Sequence, residues 1–202
     1  MTAALAISSF ERPYGRGRQC FEKIVDFLDF GEGCSMNLSE LERELEKKGR
    51  ELLRILLQEH LDSRGPGRCD APVCGADDVE RPRVRLQERK VETVFGTVRE
   101  TRAGYGQEGA DSLHPLDAEL NLPPERYSLE IRRRVAEEAA KSSFDEAVET
   151  VAKTTGGHVP KRQVEELTKR AAQDFEAFYG TRQCHPGPAE ATGPVLVITA
   201  DG

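Results

Sequence analysis

The first third of the chain carries apolar residues at helical spacing. One run predicts a helix over residues 18–30, and a longer run predicts a helix over residues 38–63, capped by Asn37 or Ser39. Gly49 lies inside the longer run and lowers helix stability by about 1 kcal/mol relative to alanine, so a break there is an open alternative. The longer run is a stripe of eight leucines: Leu38, Leu41, Leu45, Leu52, Leu53, Leu56, Leu57 and Leu61. Such a stripe is typical of helix packing, with self-association as the alternative.

The pattern changes to alternation between residues 84 and 106, where β-branched residues are frequent. This alternation predicts a two-stranded hairpin that turns near Phe95-Gly96. Basic residues dominate its polar face and the positions just before it: Arg81, Arg83, Arg85, Arg89, Lys90, Arg99 and Arg102. Two interpretations stay open, a ribbon that contacts a nucleic-acid backbone and a solvated edge hairpin whose charges oppose aggregation.

Helical spacing returns after the hairpin. Residues 115–124 predict a short helical turn closed by two prolines, and residues 128–141 predict a longer helix capped by a serine. A capping box at residues 143–146 begins the next helix, which ends where the glycine pair 156–157 supplies a left-handed residue. A further helix is predicted from Pro160 to about Tyr179.

Together these patterns predict a mainly helical α+β protein with one small β-hairpin. The expected parts are a helical N-terminal region (1–64), a linker (65–83), the basic hairpin (84–106), a helical unit (107–180), a second linker (181–193) and a last strand (194–202).

Net charge and local charge point in opposite directions. The 202 residues carry a formal charge of −7, which by itself argues against a nucleic-acid-binding protein. Residues 81–102, however, hold seven Lys/Arg against three Glu, and residues 150–164 hold three Lys/Arg and no acid. Because local patches rather than net charge decide partners, nucleic-acid binding stays open.

The composition also bounds the compartment and the metal chemistry. No apolar run approaches the roughly 18 residues of a membrane span. The short apolar run at the N-terminus has no basic region before it, so we do not expect a secretory signal. Five irregularly spaced cysteines then predict reduced thiols in a cytoplasmic protein without a membrane partner. Cys69 and Cys74 lie near zinc-ligand spacing, but no second Cys/His pair follows, so no complete metal site is predicted.

The helices on either side of the glycine pair 156–157 resemble a helix-turn-helix in their order. Lys161, Arg162 and Gln163 lie at the start of the second helix, where such a motif contacts DNA, and Lys153 ends the first. Arginine and glutamine can bond base edges with two hydrogen bonds, whereas lysine suits phosphates. A plain pair of antiparallel helices gives the same pattern and remains the alternative.

The last residues, 195–200, form an apolar run typical of a strand buried on both faces of a sheet. Asp201 follows directly, and carboxylates at strand ends can hold Mg²⁺ in two-metal enzymes. An ordinary turn is the alternative for this Asp-Gly end.

Several segments resemble one family in the same order along the chain. They are Arg89–Tyr105 with its RKVETVFGTVRETRAGY sequence, 112–124, 127–129, 133–140, 143–147 and the TGGHVPKRQ of 155–163. Over roughly residues 38–202 the chain is similar to the N-terminal portion of DDE-type insertion-sequence transposases of the ISKra family. The resemblance implies that residues 194–202 begin an RNase H-like domain and that Asp201 is its first metal-binding acid.

The same resemblance implies double-stranded DNA at the transposon terminal repeats as the partner, and Mg²⁺ for a complete enzyme. The second Asp and the Glu of the set do not follow in this sequence, so we expect a DNA-binding N-terminal fragment that neither cuts nor joins DNA and has no cofactor of its own. The alternative is a helical protein-interaction module, in which the leucine stripe drives homo-oligomer assembly.

Overall fold

The computed structural model describes residues 13–173, which form a mixed α+β structure with two antiparallel sheets. The predicted linker 181–193 and the strand that ends at Asp201 lie outside the described residues. The mixed α+β class predicted from the sequence is confirmed.

The first two helices are α1 (Gly15–Asp29) and α2 (Leu38–Arg64), joined by a 3₁₀ turn at Glu32–Ser35. Asn37 caps α2 through a capping box with Glu40, and α2 continues through Gly49 without a break. The two helices run antiparallel, because Gly17 meets Leu56 while Lys48 lies over the Phe27 ring. A Cβ on Gly17 would come 2.4 Å from Leu56 Cδ2, so the glycine permits this close approach.

The segment predicted as the linker 65–83 is structured instead. Strands β1 (Val73–Cys74) and β2 (Glu80–Arg81) pair as a small sheet, which the fully buried Arg81 side chain attaches to the rest of the molecule. Its guanidinium donates to Asp77 Oδ2 at 2.6 Å and to the Asp111 carbonyl at 2.7 Å. The prediction of a linker was wrong. The segment is rich in glycine and proline, which is typical of a loop, but the contacts of Arg81 hold it in place.

The main sheet is a long hairpin. Strands β3 (Arg83–Thr93) and β4 (Gly96–Gln107) form the predicted hairpin and pair without interruption. The turn lies at Val94-Phe95, one residue before the predicted Phe95-Gly96. A third strand, β5 (Ala110–Leu113), adds to β4, which corrects the expectation that the helical unit begins at residue 107.

Four helices follow the sheet: α3 (Pro115–Glu119), α4 (Leu129–Ala139), α5 (Phe144–Thr154) and α6 (Lys161–Ala171). The predicted caps at Ser128 and Ser143 both form. Helix α6 ends at Ala171, with Ala172 as its C-cap, and the rest of the predicted helix, from 174 to 179, lies outside the described residues. The packed core of α4, α5 and α6 is Tyr127, Ile131, Val135, Ala147, Val151, Val159, Val164 and Leu167.

The connection between α5 and α6 packs against the tip of the hairpin. Gly156 donates its N–H to the Val94 carbonyl at 2.8 Å, and a Cβ on Gly156 would lie 2.5 Å from the Phe95 carbonyl oxygen. Neither Gly156 nor Gly157 has a positive φ, so the predicted left-handed cap was wrong. These glycines serve close approach between backbones, which fixes the helices to the hairpin.

Candidate nucleic-acid interface

Four of the basic residues predicted on one polar face of the hairpin do not share a face: Arg89, Lys90, Arg99 and Arg102. Lys90 pairs across the strands with Arg99, whereas the next pair in the register is Arg89 with Glu100. Successive side chains of a strand point to opposite faces, so Lys90 and Arg99 lie on the outer face, and Arg89 lies on the inner face. The prediction of a single basic face is therefore corrected by the pleat of the strands.

Arg89 and Arg102 take part in an ionic cluster under the hairpin. The Arg89 Nε donates to Glu100 Oε2 at 2.6 Å, and its Nη1 donates to the Pro123 carbonyl at 2.9 Å. Arg102 bonds Asp117, which lies in α3 and also meets Arg89. Because the four charges balance and Glu100 is fully buried, this cluster fastens α3 to the sheet and leaves neither arginine turned outward.

A polar groove of about 580 Å³ runs between the outer face of the hairpin and α2. We call it the outer groove. Five cations and two carboxylates line it together with three neutral polar residues: Arg16, Arg54, Lys90, Arg99, Arg126, Asp62, Glu88, Gln58, Thr97 and Thr101. Four of the five cations are paired with acids: Arg16 with Asp62, Arg54 with Glu51, Arg99 with Glu88 and Arg126 with Glu92. The fifth cation, Lys90, therefore decides how strongly the groove attracts an anion.

Lys90 is the least compensated cation of the outer groove. Its two acidic neighbours on β3 are already engaged, since Glu88 meets Arg99 at 3.2 Å and the buried Glu92 bonds Arg126. Within residues 13–173, Lys90 has no carboxylate partner of its own. Its ammonium group therefore remains available to an anion that enters the groove.

The contact between α2 and the hairpin shows which type of cross-strand pair Lys90 and Arg99 form. Gln58 bonds both backbone groups of Arg99, accepting from its N–H at 2.7 Å and donating to its carbonyl at 2.8 Å. Those groups therefore point away from β3, which makes Lys90 and Arg99 a non-hydrogen-bonded pair with side chains at the closer of the two antiparallel spacings. Like charges opposite each other destabilise a sheet, so the arrangement favours an anion between them.

The cations at the start of α6 are exposed, but acids from elsewhere meet them. Lys161 donates to Asp145 at 2.7 Å, and this carboxylate raises the pKa of the lysine. Glu166 accepts from Arg162 at 3.2 Å and from Gln163 at 3.0 Å. The stretch that is free of acids in the sequence is thus partly neutralised in space.

Such exposed pairs are weak, typically worth 0–1 kcal/mol, so an incoming phosphate can replace the carboxylate. Arg162 in particular keeps 87% of its side chain exposed despite its pair with Glu166. Lys153, at the end of α5, is paired only with Glu149 and is likewise exposed. It lies in a second groove beside α2, where Arg50 donates to the Thr155 carbonyl at 2.5 Å.

The sequence did not indicate that α2 and the segment leading into α4 contribute to the outer groove. Arg54 and Gln58 lie one helical turn apart on α2, and their polar character was the available signal beside the leucine stripe. Arg126 follows a double proline, and nothing local indicates that it returns to the hairpin. Its carbonyl accepts from the Glu92 N–H at 2.8 Å, which places it at the groove.

The described residues offer no group of three or more His, Cys, Asp or Glu side chains that could hold a metal ion. Cys69 and Cys74 are exposed free thiols, and Asp201 lies outside the described residues. The Mg²⁺ implied by the transposase resemblance therefore has no ligand set in this part of the chain. Among these residues, none of the helices has both the length and the apolar character that a membrane crossing requires.

Comparison of the chain with protein-family models, with curated proteins and with solved structures finds no match.

Proposed function

We propose that this protein binds double-stranded DNA, with the outer groove on the phosphate backbone and the start of α6 at the base edges. The observation that carries the proposal is the uncompensated Lys90 opposite Arg99 in a groove of five cations and two carboxylates. A phosphate between the two side chains would relieve their repulsion and release counterions from the DNA. Thr101 adds a neutral hydrogen-bond donor along the same groove.

The α6 end supplies the second half of the proposed contact. Residues 128–173 carry nine Lys/Arg and eight Asp/Glu, so this unit has almost no net charge. Binding there depends on individual side chains. The first turn of α6 has no side-chain cap, which leaves N–H groups and the positive end of the helix dipole for a phosphate. Arg162 and Gln163 are the residue types that read guanine and adenine.

We further propose that α5, α6 and the connection between them act as a helix-turn-helix. Its connection over residues 155–160 is longer than the usual three- to four-residue turn. The Thr155 hydroxyl accepts from the Gly157 N–H at 3.1 Å, and Val159 is buried in the core of the unit. These contacts hold the long connection in one shape, which is what a reading helix needs.

The resemblance to ISKra transposases supports a specific target. We propose the terminal repeats of an insertion sequence as the preferred duplex. The proposed role of Asp201 in Mg²⁺ binding belongs to an RNase H-like domain, and its residues are outside those described.

The test is fluorescence anisotropy with labelled duplexes at several salt concentrations. Replacing Lys90 and Arg99 together by Gln should weaken binding at least tenfold and reduce the slope of log affinity against log salt by about 1.8. The matched control replaces Arg83 and Arg85, two exposed cations on the same strand outside the outer groove. Equal losses in both double variants, or an unchanged slope, would contradict the groove as the phosphate site.

A protein-interaction module is the second candidate, favoured by apolar side chains exposed on the N-terminal helices. Phe21 is 57% exposed on α1, and α2 contains no fully buried residue. An apolar interface is far less sensitive to salt than phosphate binding, so the same salt series separates the two candidates.

A further inference from the structure

One side of α1 carries an apolar stripe that faces solvent. Phe21, Val25 and Leu28 follow one another at i, i+4 and i+7, and each is more than a third exposed. Gly17, which meets Leu56 of α2, lies one helical turn before Phe21 on the same side of α1, so the stripe borders the contact with α2. More than a third of each of the three side chains nevertheless remains outside the contact that holds the two helices together.

Exposed apolar groups are concentrated in this region. Of the ten large hydrophobic side chains found exposed in the described residues, six lie between positions 21 and 53: Phe21, Val25, Leu28, Phe30, Leu38 and Leu53. On a folded protein, exposed apolar side chains that concentrate in one region are typical of an interaction site.

The charges beside the stripe are arranged for a second copy of the same helix. Arg18 and Asp29 are eleven residues apart, three helical turns, so they lie on one flank of the stripe at its opposite ends. Neither forms an ion pair within residues 13–173, although each is exposed. A single helix that carries opposite charges at the two ends of an apolar stripe is complementary to itself when turned end for end.

We propose that α1 is the interface of a symmetric homodimer in which the two α1 helices pack antiparallel. A two-fold axis brings the same flank of both helices together, so Arg18 faces Asp29 of the second copy, and the relation occurs twice. Phe21 then packs near Val25 of the second copy, within the joined stripes. A parallel arrangement would set this flank against the opposite flank of the second copy, so Arg18 and Asp29 would not meet.

The size of this surface sets the strength of association. A helix of 15 residues is about 22 Å long, and one helix pair buries less than the roughly 800 Å² per partner of a standard stable interface. We therefore expect a dimer that forms in the micromolar range and dissociates on dilution.

The experiment is sedimentation equilibrium of the full 202-residue chain without DNA. Arg18→Asp and Asp29→Arg should each raise the dimer dissociation constant at least tenfold, because each places like charges across both contacts. The double variant reverses both charges and should return the constant to within about threefold of the original. Val25→Lys, in the middle of the stripe, should give a monomer at every concentration.

Glu22→Gln is the matched control. Glu22 lies on the same flank as Arg18 but faces Val25 of the second copy, so removing its charge should not weaken the dimer. Circular dichroism checks that each variant keeps its helices. A chain that is monomeric up to about 200 µM, or a double variant that stays as weak as the single ones, overturns the proposal. A dimer that survives Val25→Lys overturns it as well, because it would use another face.

This inference goes beyond DNA binding and is tested independently of it. The dimer measurement contains no DNA, and none of these substitutions touches a residue of the outer groove. Loss of DNA binding in the Lys90/Arg99 variant therefore leaves the dimer result intact, and the reverse also holds.

Discussion

The contact between the hairpin tip and the α5–α6 connection can be tested with one methyl group. An alanine Cβ at position 156 would lie 2.5 Å from the Phe95 carbonyl oxygen, 2.6 Å from its carbon and 2.9 Å from the Gly96 nitrogen. All three are backbone atoms, so no side-chain rotation relieves the overlap. Gly156→Ala must therefore separate the tip from the helices and lose the hydrogen bond from its N–H to Val94.

The size of the effect follows from these two changes. Overpacking of this kind costs about 1–3 kcal/mol, and the lost hydrogen bond costs about 1 kcal/mol more. We therefore expect Gly156→Ala to lower the free energy of unfolding by about 2–4 kcal/mol. Gly49→Ala is the matched control, because it makes the same chemical change inside α2, where nothing lies within 4 Å of the new Cβ. That variant should gain about 1 kcal/mol from helix propensity.

Urea unfolding followed by circular dichroism measures both variants, with the slope of the transition checked against the original protein. The two substitutions should shift the urea midpoint of unfolding in opposite directions. A Gly156→Ala protein within about 0.5 kcal/mol of the original would refute the close approach at the hairpin tip. If both variants were stabilised, helix propensity alone would account for the result, and the tertiary contact would have no energetic role.

Three further predictions concern single side chains. Arg162→Ala should relax base preference by about 1–3 kcal/mol in competition binding, whereas equal losses on specific and random duplexes would assign Arg162 to phosphates. Glu100→Gln should lower the free energy of unfolding by about 3–5 kcal/mol, because it leaves the Arg89 guanidinium without its buried carboxylate, and a loss below about 1 kcal/mol would contradict this account. Arg81 lowers the pKa of Asp77 to about 2, so this pair stabilises the fold above about pH 4 and its contribution is lost as the pH falls through about 2. Asp77→Asn should therefore be less stable than the original at neutral pH, with a difference that narrows below pH 4 in urea titrations; a constant difference would refute the linkage.

The hairpin separates its cations into two groups with different consequences. On the inner face Arg89 and Arg102 are matched by Glu100 and Asp117, and their function is to hold α3. On the outer face, Lys90 remains without a carboxylate of its own among the described residues. The face of the strand, and not the number of basic residues in the segment, decides which of them are available for a partner.

The elements that the sequence determined by itself are those governed by contacts within about one helical turn. The capping boxes at Asn37 and Ser143, the apolar spacing of α2 and the turn between β3 and β4 all involve residues at most four positions apart. Their energetics depend on local geometry, which the order of residues fixes directly.

Tertiary structure decided where charges and glycines act. Asp145 reaches Lys161 from 16 residues away, and Arg126 returns to the hairpin across 34 residues to meet Glu92. Gly156 is required by the approach of Phe95 and not by its own dihedral angles. Pair energies fall off over a few ångströms, and loop closure costs little more for a distant partner than for a near one. Which side chains come close enough to interact is therefore decided only when the helices pack on the sheet.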